Sequence, residues 1–339
     1  MHKFVRNLIT EWRRLELPFK DATLIVAVSG GADSVSLLLA IDELRTRKKL
    51  ENRFVVAHFD HKLRPETSGA DLEVVRKLTI ERNFELAHGE WKRSTGGNLE
   101  QEARNARYEF LLKTAEIVSA DYILTGHTMN DQAETVLMNL IRGAGPDGLS
   151  GMSATRDLQS KATIAPTSDL LPLPEPTVKL TRPMLSWAKR SDTEAFCRES
   201  NVEFCRDPMN EDVSFRRVWI RKILIPMLEE VNPQIVVSLC RTAESIKQSS
   251  SKGANAPTDV IEPTIAFLKA MEKPELYKFL RAWIKSKSGN LRGLELKHIE
   301  AIDRLIHSRK SGKMVELPQN VAIVKSGGKL VYRNIEVDK

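Results

Sequence analysis

An apolar run, a short glycine loop and a helix-like segment follow one another near the start of the chain, and this order constrains the fold most. Residues 24–28 predict a strand, residues 29–34 read Ser-Gly-Gly-Ala-Asp-Ser, and residues 34–45 predict a helix. Such a loop surrounds an anion, most often a phosphate, with backbone N–H groups and a helix N-terminus. Gly30 and Gly31 carry no Cβ atom, so the backbone can approach the anion closely. The loop has neither the Walker ending nor the dinucleotide-binding pattern, and it therefore predicts a phosphate site of another kind.

Strand-like runs and helical patterns continue to alternate after this loop. Strands are predicted at residues 24–28, 54–59, 84–88 and 122–125, and helices at 34–45, 71–83, 99–118 and 131–142. The alternation predicts an α/β fold with a parallel, twisted sheet and helices on both faces. In open sheets of this kind the ligand binds beyond the carboxyl ends of the strands, where the motifs of this chain begin.

The second half of the chain has a different organisation. Residues 157–179 hold four prolines among polar residues and predict a loop, and residues 248–257 predict a flexible connection. Helices are expected at 186–201, 214–230, 263–286 and 294–307, with a hairpin at 321–324 and 330–332. We therefore expect a catalytic domain at 1–240 and a mainly helical domain at 241–339.

The excess of positive over negative charge lies entirely in the last hundred residues. Of the 339 residues, 52 are Lys or Arg and 45 are Asp or Glu, and all of the net +7 comes from residues 241–339. This asymmetry indicates a domain that binds a polyanion such as RNA, although a solvated basic surface is the alternative. The candidate phosphate contacts are Lys285, Lys287, Arg304, Arg309, Lys310 and Lys313.

Composition also bounds the cellular setting. The chain has no apolar stretch of about 18 residues and no apolar signal-peptide core, so we expect a cytoplasmic protein with no membrane partner. The three cysteines, Cys197, Cys205 and Cys240, have no C-x-x-C spacing and predict reduced thiols. They lie beyond residue 190, and we expect them to lie outside the part of the fold that contains the glycine loop.

Two pairs of charged residues lie three positions apart on predicted helices. Arg104 and Arg107 share one helix face and could grip phosphates, although pairing with nearby glutamates is the alternative. Asp131 and Glu134 share another face, where they could bind Mg²⁺ or accept a proton from an amine. The alternative for Asp131 is a helix cap, and for Glu134 a solvated surface position. A zinc site at His58 and His61 lacks a third ligand nearby.

The loop at residues 29–34 resembles the pyrophosphate loop of the N-type ATP pyrophosphatases, and an ordered set of further motifs resembles the bacterial tRNA(Ile)-lysidine synthetase family over residues 24–240. The motifs are Asp60-His61-x-Leu63-Arg64, Glu102-Ala103-Arg104-x-x-Arg107-Tyr108, His127-x-x-x-Asp131-Gln132-Ala133-Glu134-Thr135, Arg142-Gly143-x-Gly145, Gly148-Leu149-x-Gly151-Met152, Arg182-Pro183-Met184-Leu185 and Asp207-Pro208-Met209-Asn210. The chain departs from the family pattern at Asn130, Met209 and Val218.

The resemblance implies a two-step ligation. ATP adenylates O2 of the wobble cytidine (position 34) of the minor tRNA(Ile) with a CAU anticodon and releases pyrophosphate. The ε-amine of free L-lysine then attacks C2 and expels AMP, which changes codon reading from AUG to AUA. Residues implied to hold ATP are Ser29, Gly30, Gly31, Ala32, Asp33 and Ser34; those implied in catalysis are Arg107, Asp131 and Glu134. Mg²⁺ is expected with ATP, with Asp33 as its candidate contact. The oligomeric state is left open, a dimer included.

Three other interpretations of the loop remain. A tRNA thiolase shares it but commonly uses a C-x-x-C cluster site or catalytic cysteines, and amide-forming relatives share it but need no basic domain. A non-catalytic, nucleotide-sensing RNA-binding protein is an alternative of a different class. Exchange of pyrophosphate into ATP that depends on added tRNA would separate an enzyme from such a sensor.

Overall fold

The computed structural model describes residues 1–60, 68–91, 99–158, 177–205, 211–251, 262–289, 291, 293–308 and 312–335. The chain forms two compact units. The first consists of Met1–Gln132 and Met152–Val236, and the second of Ala133–Gly151 and Val237–Lys339. The division into domains at residue 240 stays a prediction.

The first unit contains a sheet of six strands, with the spatial order β3-β2-β1-β4-β6-β5. The strands are β1 (Lys20–Ala27), β2 (Glu51–Asp60), β3 (Glu85–Glu90), β4 (Tyr122–Thr125), β5 (Thr155–Leu158) and β6 (Val178–Thr181). Neighbouring strands are parallel except β5, which pairs antiparallel with β6 at one edge. The predicted α/β class with a parallel sheet is confirmed. Strands β5 and β6 cover the two ends of the loop predicted at 157–179, and residues 159–176 lie outside the described part.

The described residues form helices in both units. They are α1 (Lys3–Arg14), α2 (Ala32–Thr46), α3 (Ser68–Glu81), α4 (Leu99–Val118), α5 (Met129–Ile141), α6 (Pro146–Leu149), α7 (Arg190–Glu199), α8 (Arg216–Trp219), α9 (Ile225–Val231), α10 (Ile235–Ser251), α11 (Ile265–Lys269), α12 (Lys273–Ser288) and α13 (Leu296–His307). Helix α10 includes residues 248–251, so the flexible connection predicted there is wrong for these four residues. Residues 252–257 lie outside the described part.

The core of the first unit has two sides because alternate residues of a strand point to opposite faces of the sheet. On one face, Leu24 and Val26 of β1 belong to a cluster that contains residues of α1 and α2, including Trp12 and Leu38. On the other face, Ile25 belongs to a second cluster with residues of α4. All of these side chains are fully buried or nearly so. Helices therefore cover both faces, as the alternating pattern predicts.

One predicted helix, at 214–230, contains a local irregularity. Helix α8 leads into a wider, π-helical turn at Ile220–Leu224, and α9 follows directly with Pro226 in its first turn. Proline has no N–H to donate and its ring crowds the carbonyl group four residues earlier. The wider turn gives that ring space, so the helix continues through Pro226. The helix ends at Val231.

The second unit packs helices against a small antiparallel sheet. The sheet contains β7 (Met314–Leu317), β8 (Val321–Ser326) and β9 (Lys329–Asn334) in that order. Trp283 of α12, Ile302 of α13 and Ile323 of β8 are buried in its core. The helical C-terminal region and the hairpin are confirmed, while β7 was not predicted.

Among the described residues, no single helix has the length and hydropathy of a membrane span. The segments Arg216–Val231 and Ile235–Ser249 pass that test only as a pair, bent by 95°.

Candidate active site

The glycine loop joins β1 to α2 with an open helix N-terminus. Gly30 has a φ of +91°, a backbone conformation that residues other than glycine rarely adopt. Gly31 is the N-cap of α2, and no side chain caps the first turn of the helix. A helix of this length with an uncapped first turn attracts an anion. The helix start predicted at Ser34 is therefore two residues late.

The two serines of the loop brace its backbone. The Ser34 hydroxyl accepts a hydrogen bond from the Ser29 backbone N–H at 3.1 Å and donates to the Gly31 carbonyl at 3.0 Å. The hydroxyl oxygens of Ser29 and Ser34 are 3.2 Å apart. These bonds join the two ends of the loop, and neither serine caps the first turn of α2.

The end of β4 packs directly against this loop. A Cβ atom on Gly126 would lie 2.7 Å from the Asp33 carbonyl oxygen and 2.9 Å from the Ser34 Cα atom. Only glycine allows this approach without a shift of the backbone. The motif that begins at His127 is thereby brought beside residues 29–34.

Two cysteines also lie against the loop, which corrects the expectation that they lie elsewhere. The Cys205 backbone N–H donates to the Gly30 carbonyl at 2.9 Å, and the Cys197 thiol donates to the Ala32 carbonyl at 3.5 Å. Cys197 reaches the loop because α7 packs on α2. Burial raises the pKa of both thiols to about 12, so the groups are inert thiols of the loop's surroundings.

Asp33 points into a polar cluster made by distant parts of the chain. The Thr193 hydroxyl donates to Asp33 Oδ1 at 2.5 Å, and the Arg190 guanidinium lies 3.6 Å from Oδ2. Burial raises the pKa of Asp33 to about 6, against the opposing effect of Arg190, and the charge of Asp131 adds to the rise. The loop therefore presents a carboxyl group that titrates near neutral pH.

Asp131 has two roles in the geometry. Its Oδ2 accepts hydrogen bonds from the backbone N–H and the hydroxyl of Thr128, so it forms a cap at the start of α5. Its Oδ1 lies 3.4 Å from an Arg190 nitrogen and 3.6 Å from an Arg217 nitrogen. Arg190 thus lies between Asp33 and Asp131 and links the glycine loop to the motif after β4.

Asn130 holds Arg190 in this position. Its Oδ1 accepts a hydrogen bond from the Arg190 backbone N–H at 2.9 Å, at the first residue of α7. The departure from the family pattern at Asn130 therefore has a defined contact in this chain. Val218 is buried, whereas Met209 lies outside the described residues.

A group of arginines surrounds Tyr108 beside His127. The guanidinium carbons of Arg104, Arg107 and Arg156 lie 5.6, 5.3 and 5.1 Å from the centre of the Tyr108 ring. Burial and the neighbouring arginines, Arg182 and Arg107 foremost, hold the pKa of His127 well below its usual value. The Thr125 hydroxyl lies 2.8 Å from His127 Nδ1. This edge of the sheet is therefore strongly cationic.

Comparison with known proteins places the chain in a family. A model of the PP-loop domain matches residues 3–228. The chain is 31% identical to the tRNA(Ile)-lysidine synthase of Thermotoga maritima over 90% of its own length and 68% of that protein. It is 30% identical to the tRNA(Ile)-lysidine synthase of Geobacter sulfurreducens over 91% of its own length and 64% of that protein. The chain belongs to the tRNA(Ile)-lysidine synthase family. It spans about two thirds of the length of these relatives.

A solved structure supports the fold independently of close sequence similarity. The U34-tRNA thiolase NcsA of Methanococcus maripaludis, solved with its [4Fe-4S] cluster, matches 72% of this chain and 79% of its own with a TM-score of 0.57. The two sequences are only 14% identical, so the likeness concerns the fold alone.

Possible metal ligands do not cluster in the described part of this member of the lysidine synthase family. No three His, Cys, Asp or Glu side chains lie close enough together there to hold a metal ion.

The other predicted site residues of this lysidine synthase family member are also located. Arg107 is half-buried beside Tyr108, and Glu134 is fully buried in the second unit. His58 is buried with its Nδ1 2.9 Å from the Val28 carbonyl, and burial lowers its pKa, so it serves as a core residue beside the loop. His61 and the motif residues 207–210 lie outside the described part. Local patterns did not reveal Arg190, Thr193 or Arg217, because they join the site only through the fold.

Proposed function

We propose that this protein ligates free L-lysine to C2 of the wobble cytidine of the minor tRNA(Ile) with a CAU anticodon, with ATP converted to AMP and pyrophosphate. The similarity to two proteins named tRNA(Ile)-lysidine synthase over about 90% of the chain carries the proposal. The open glycine loop at the end of β1 supports it, because adenylation requires a site for the pyrophosphate portion of ATP. We place the reaction in the cytoplasm, where tRNA is modified.

The glycine loop binds ATP in this proposal. The N–H groups at the start of α2 and the Ser29 hydroxyl donate hydrogen bonds to the β and γ phosphates, while Ser34 holds the two ends of the loop together. The cytidine O2 attacks the α phosphorus, the α–β bond breaks, and pyrophosphate leaves. The loop stabilises the charge that grows on the leaving group, because its donors are already fixed by the Ser29–Ser34 contacts.

Asp33 is the candidate contact for a magnesium ion that arrives with ATP. Mg²⁺ prefers oxygen ligands and is usually held by one or two carboxylates together with substrate phosphates. Asp33 and Asp131 supply two carboxylates that face the same guanidinium, and this donor set fits such an ion. The ion would offset the negative charge of the phosphates.

Arg107 and the pair of acids act on the second step. Lysine is mostly protonated at neutral pH, with a reference side-chain pKa of about 10.4, and its amine must lose a proton to attack C2. Asp131 and Glu134 are the two candidate acceptors, and Arg107 supplies positive charge beside the adenylated cytidine. As the C–N bond forms, the C2–O2 bond of the adenylated cytidine breaks and AMP carries the oxygen away.

Purified protein tests the function directly with ATP, radiolabelled lysine and a tRNA(Ile) transcript. Lysine label in the RNA, dependent on ATP and absent with methionine tRNA, is the expected result. ATP–pyrophosphate exchange with tRNA but no lysine measures the first step separately. No label and no exchange with any tRNA would refute the proposal and favour a nucleotide-sensing protein.

Single-turnover assays of two variants then identify the proton acceptor. In Asp131→Asn and Glu134→Gln, adenylation is measured by exchange and lysine transfer by label. The acceptor is the residue whose variant keeps exchange but slows transfer by at least about a hundredfold, the usual range for a lost general base. Unchanged transfer in both variants would show that neither acid accepts the proton.

A further inference from the structure

Tyr108 lies at the centre of four arginines that come from three different parts of the fold. Arg104 and Arg107 belong to α4, Arg156 belongs to β5, and Arg182 follows β6. We call these five residues the arginine–tyrosine cluster. Arg182 is only 2% exposed, and one of its nitrogens donates to the Ser153 carbonyl at 2.6 Å. The cluster therefore lies at the sheet edge formed by β5 and β6.

In the part of the chain that the structure describes, the charges of this cluster are not balanced by carboxylates. None of its four arginines forms an ion pair there with a described Asp or Glu. Burial lowers the pKa of Arg182 to about 10 and also lowers that of Arg107, which shows how unfavourable the uncompensated charge is. Four guanidinium groups with one phenol as neighbour need an anion.

One polar atom of the cluster also lacks a partner. Among the described residues, the buried Arg182 Nε makes no hydrogen bond. Buried polar atoms are normally paired, and such exceptions are expected where a ligand supplies the missing partner. The cluster thus combines excess positive charge with an unused hydrogen-bonding group.

The position of the cluster indicates which anion it takes. Arg182, Arg107 and Arg104 also act on His127, which directly follows the Gly126 contact with the glycine loop. Arg104 and Arg156 are exposed, so a large ligand can reach them from solvent. The glycine loop already offers donors to the phosphates of ATP. The remaining phosphate-rich substrate of the proposed reaction is the RNA strand around the modified cytidine.

We propose that the arginine–tyrosine cluster binds a backbone phosphate of the substrate RNA, and that Tyr108 is the positioning residue that keeps the guanidinium groups in place before RNA binds. This inference rests on the proposed function, because it takes its ligand from that reaction. Guanidinium forks suit phosphate oxygens, to which two nitrogens of one arginine can donate together. The bound phosphate replaces the phenol as the main neighbour of the four positive charges.

A measurable consequence concerns the proton on Tyr108. The four arginines outweigh burial and lower the pKa of the phenol to about 7. A phosphate bound among them reduces this effect, so the phenol takes up a proton when RNA binds. At pH 7 a group with that pKa is half ionised, so binding should take up about half a proton.

Two measurements on the full chain test the proposal. The first is an ultraviolet titration of tyrosinate in the free protein, which contains four tyrosines. Wild type should show one ionisation step near pH 7, and Tyr108→Phe should lack it. Tyr122→Phe is the matched control, because Tyr122 is a half-buried tyrosine of β4 with a lysine near its ring, and it should keep the step.

The second measurement is calorimetry of a CAU stem-loop RNA binding in two buffers with different ionisation enthalpies. Wild type and Tyr122→Phe should take up about half a proton at pH 7, the fraction set by Tyr108. Tyr108→Phe should take up none and bind the RNA several-fold more weakly. No neutral step in wild type, or proton uptake that persists in Tyr108→Phe, would overturn the inference. Uptake caused by ATP instead of RNA would also overturn it and assign the cluster to the nucleotide.

Lysine transfer by wild type separates this inference from the proposed function. Lysine transfer without RNA-linked proton uptake would overturn only the role of the cluster. Proton uptake on RNA binding without lysine transfer would support the cluster and overturn the proposed reaction.

Discussion

Replacement of Asp33 by asparagine should stabilise the fold in a pH-dependent manner. The Asp33 side chain is 25% exposed, and burial raises its pKa from 3.8 to about 6. A carboxyl group with a raised pKa stabilises the folded state at low pH, where it is protonated. That contribution is complete below pH 3.8 and is lost as the pH rises through about 6. The asparagine side chain of the variant would still accept the Thr193 hydrogen bond and would carry no charge.

The magnitude follows from the two pKa values. Between pH 5 and pH 8 the Asp33 contribution to the free energy of unfolding should fall by about 1.4 kcal/mol. Asparagine does not titrate, so the variant should gain about 1.4 kcal/mol relative to wild type over the same interval. The same variant should lose adenylation, because the proposed Mg²⁺ contact is removed.

Urea denaturation followed by tryptophan fluorescence measures this difference at pH 5, 6, 7 and 8, with EDTA present and no nucleotide. Glu81→Gln, which removes an exposed carboxylate of α3, is the control for the loss of a surface charge. If the difference in the free energy of unfolding between Asp33→Asn and wild type stays constant, or falls as the pH rises, burial is not the dominant effect on the pKa of Asp33.

Three further predictions concern other parts of the molecule. Gly126→Ala should weaken ATP binding at least tenfold by calorimetry, because its Cβ atom would meet the Asp33 carbonyl at 2.7 Å; unchanged affinity would show that the loop can move aside. All three cysteines of the folded protein should react slowly with a thiol reagent at pH 8. Burial raises the pKa of Cys197 and Cys205 to about 12 and that of Cys240 to about 11, so little thiolate is present. A fast-reacting thiol would contradict this prediction. Replacing the exposed Lys285, Lys287 and Arg304 by Gln should reduce the salt dependence of tRNA binding and leave ATP binding intact. The slope of the logarithm of the tRNA binding constant against the logarithm of the salt concentration should fall by up to about 0.9 per lost phosphate contact. An unchanged slope would place the RNA elsewhere.

Local pattern explains which parts of the fold could be predicted from the sequence. The strand, loop and helix at residues 20–46 are adjacent in the chain, so their order alone predicts an anion site. Helix α1 was missed although its signal is present, since Phe4, Leu8 and Trp12 recur at helical spacing and are all buried. Strand β5 is only four residues long and carries charged residues, so it has no strand pattern to detect.

The candidate site shows the limit of such reasoning. Thr193 lies 160 residues from Asp33 in the chain, and their hydrogen bond exists only because α7 packs on α2. Arg190 is likewise an unremarkable basic residue in the sequence, yet it lies between Asp33 and Asp131. Residues 61–64 and 207–210 belong to motifs of the family and lie outside the described part of the chain.

The charges of the first unit suggest why its site is arranged as it is. Four arginines share the Tyr108 phenol, and in the described part of the chain they form no ion pair with a carboxylate. By contrast, Asp33 and Asp131 face two guanidinium groups, Arg190 and Arg217. The uncompensated arginine charge costs stability, and the buried apolar core around β1 offsets that cost. An RNA phosphate carries the charge that would complete the arginine group. RNA binding should therefore stabilise the first unit more than its contact area alone would suggest, because the phosphate relieves an electrostatic penalty that the free protein already carries.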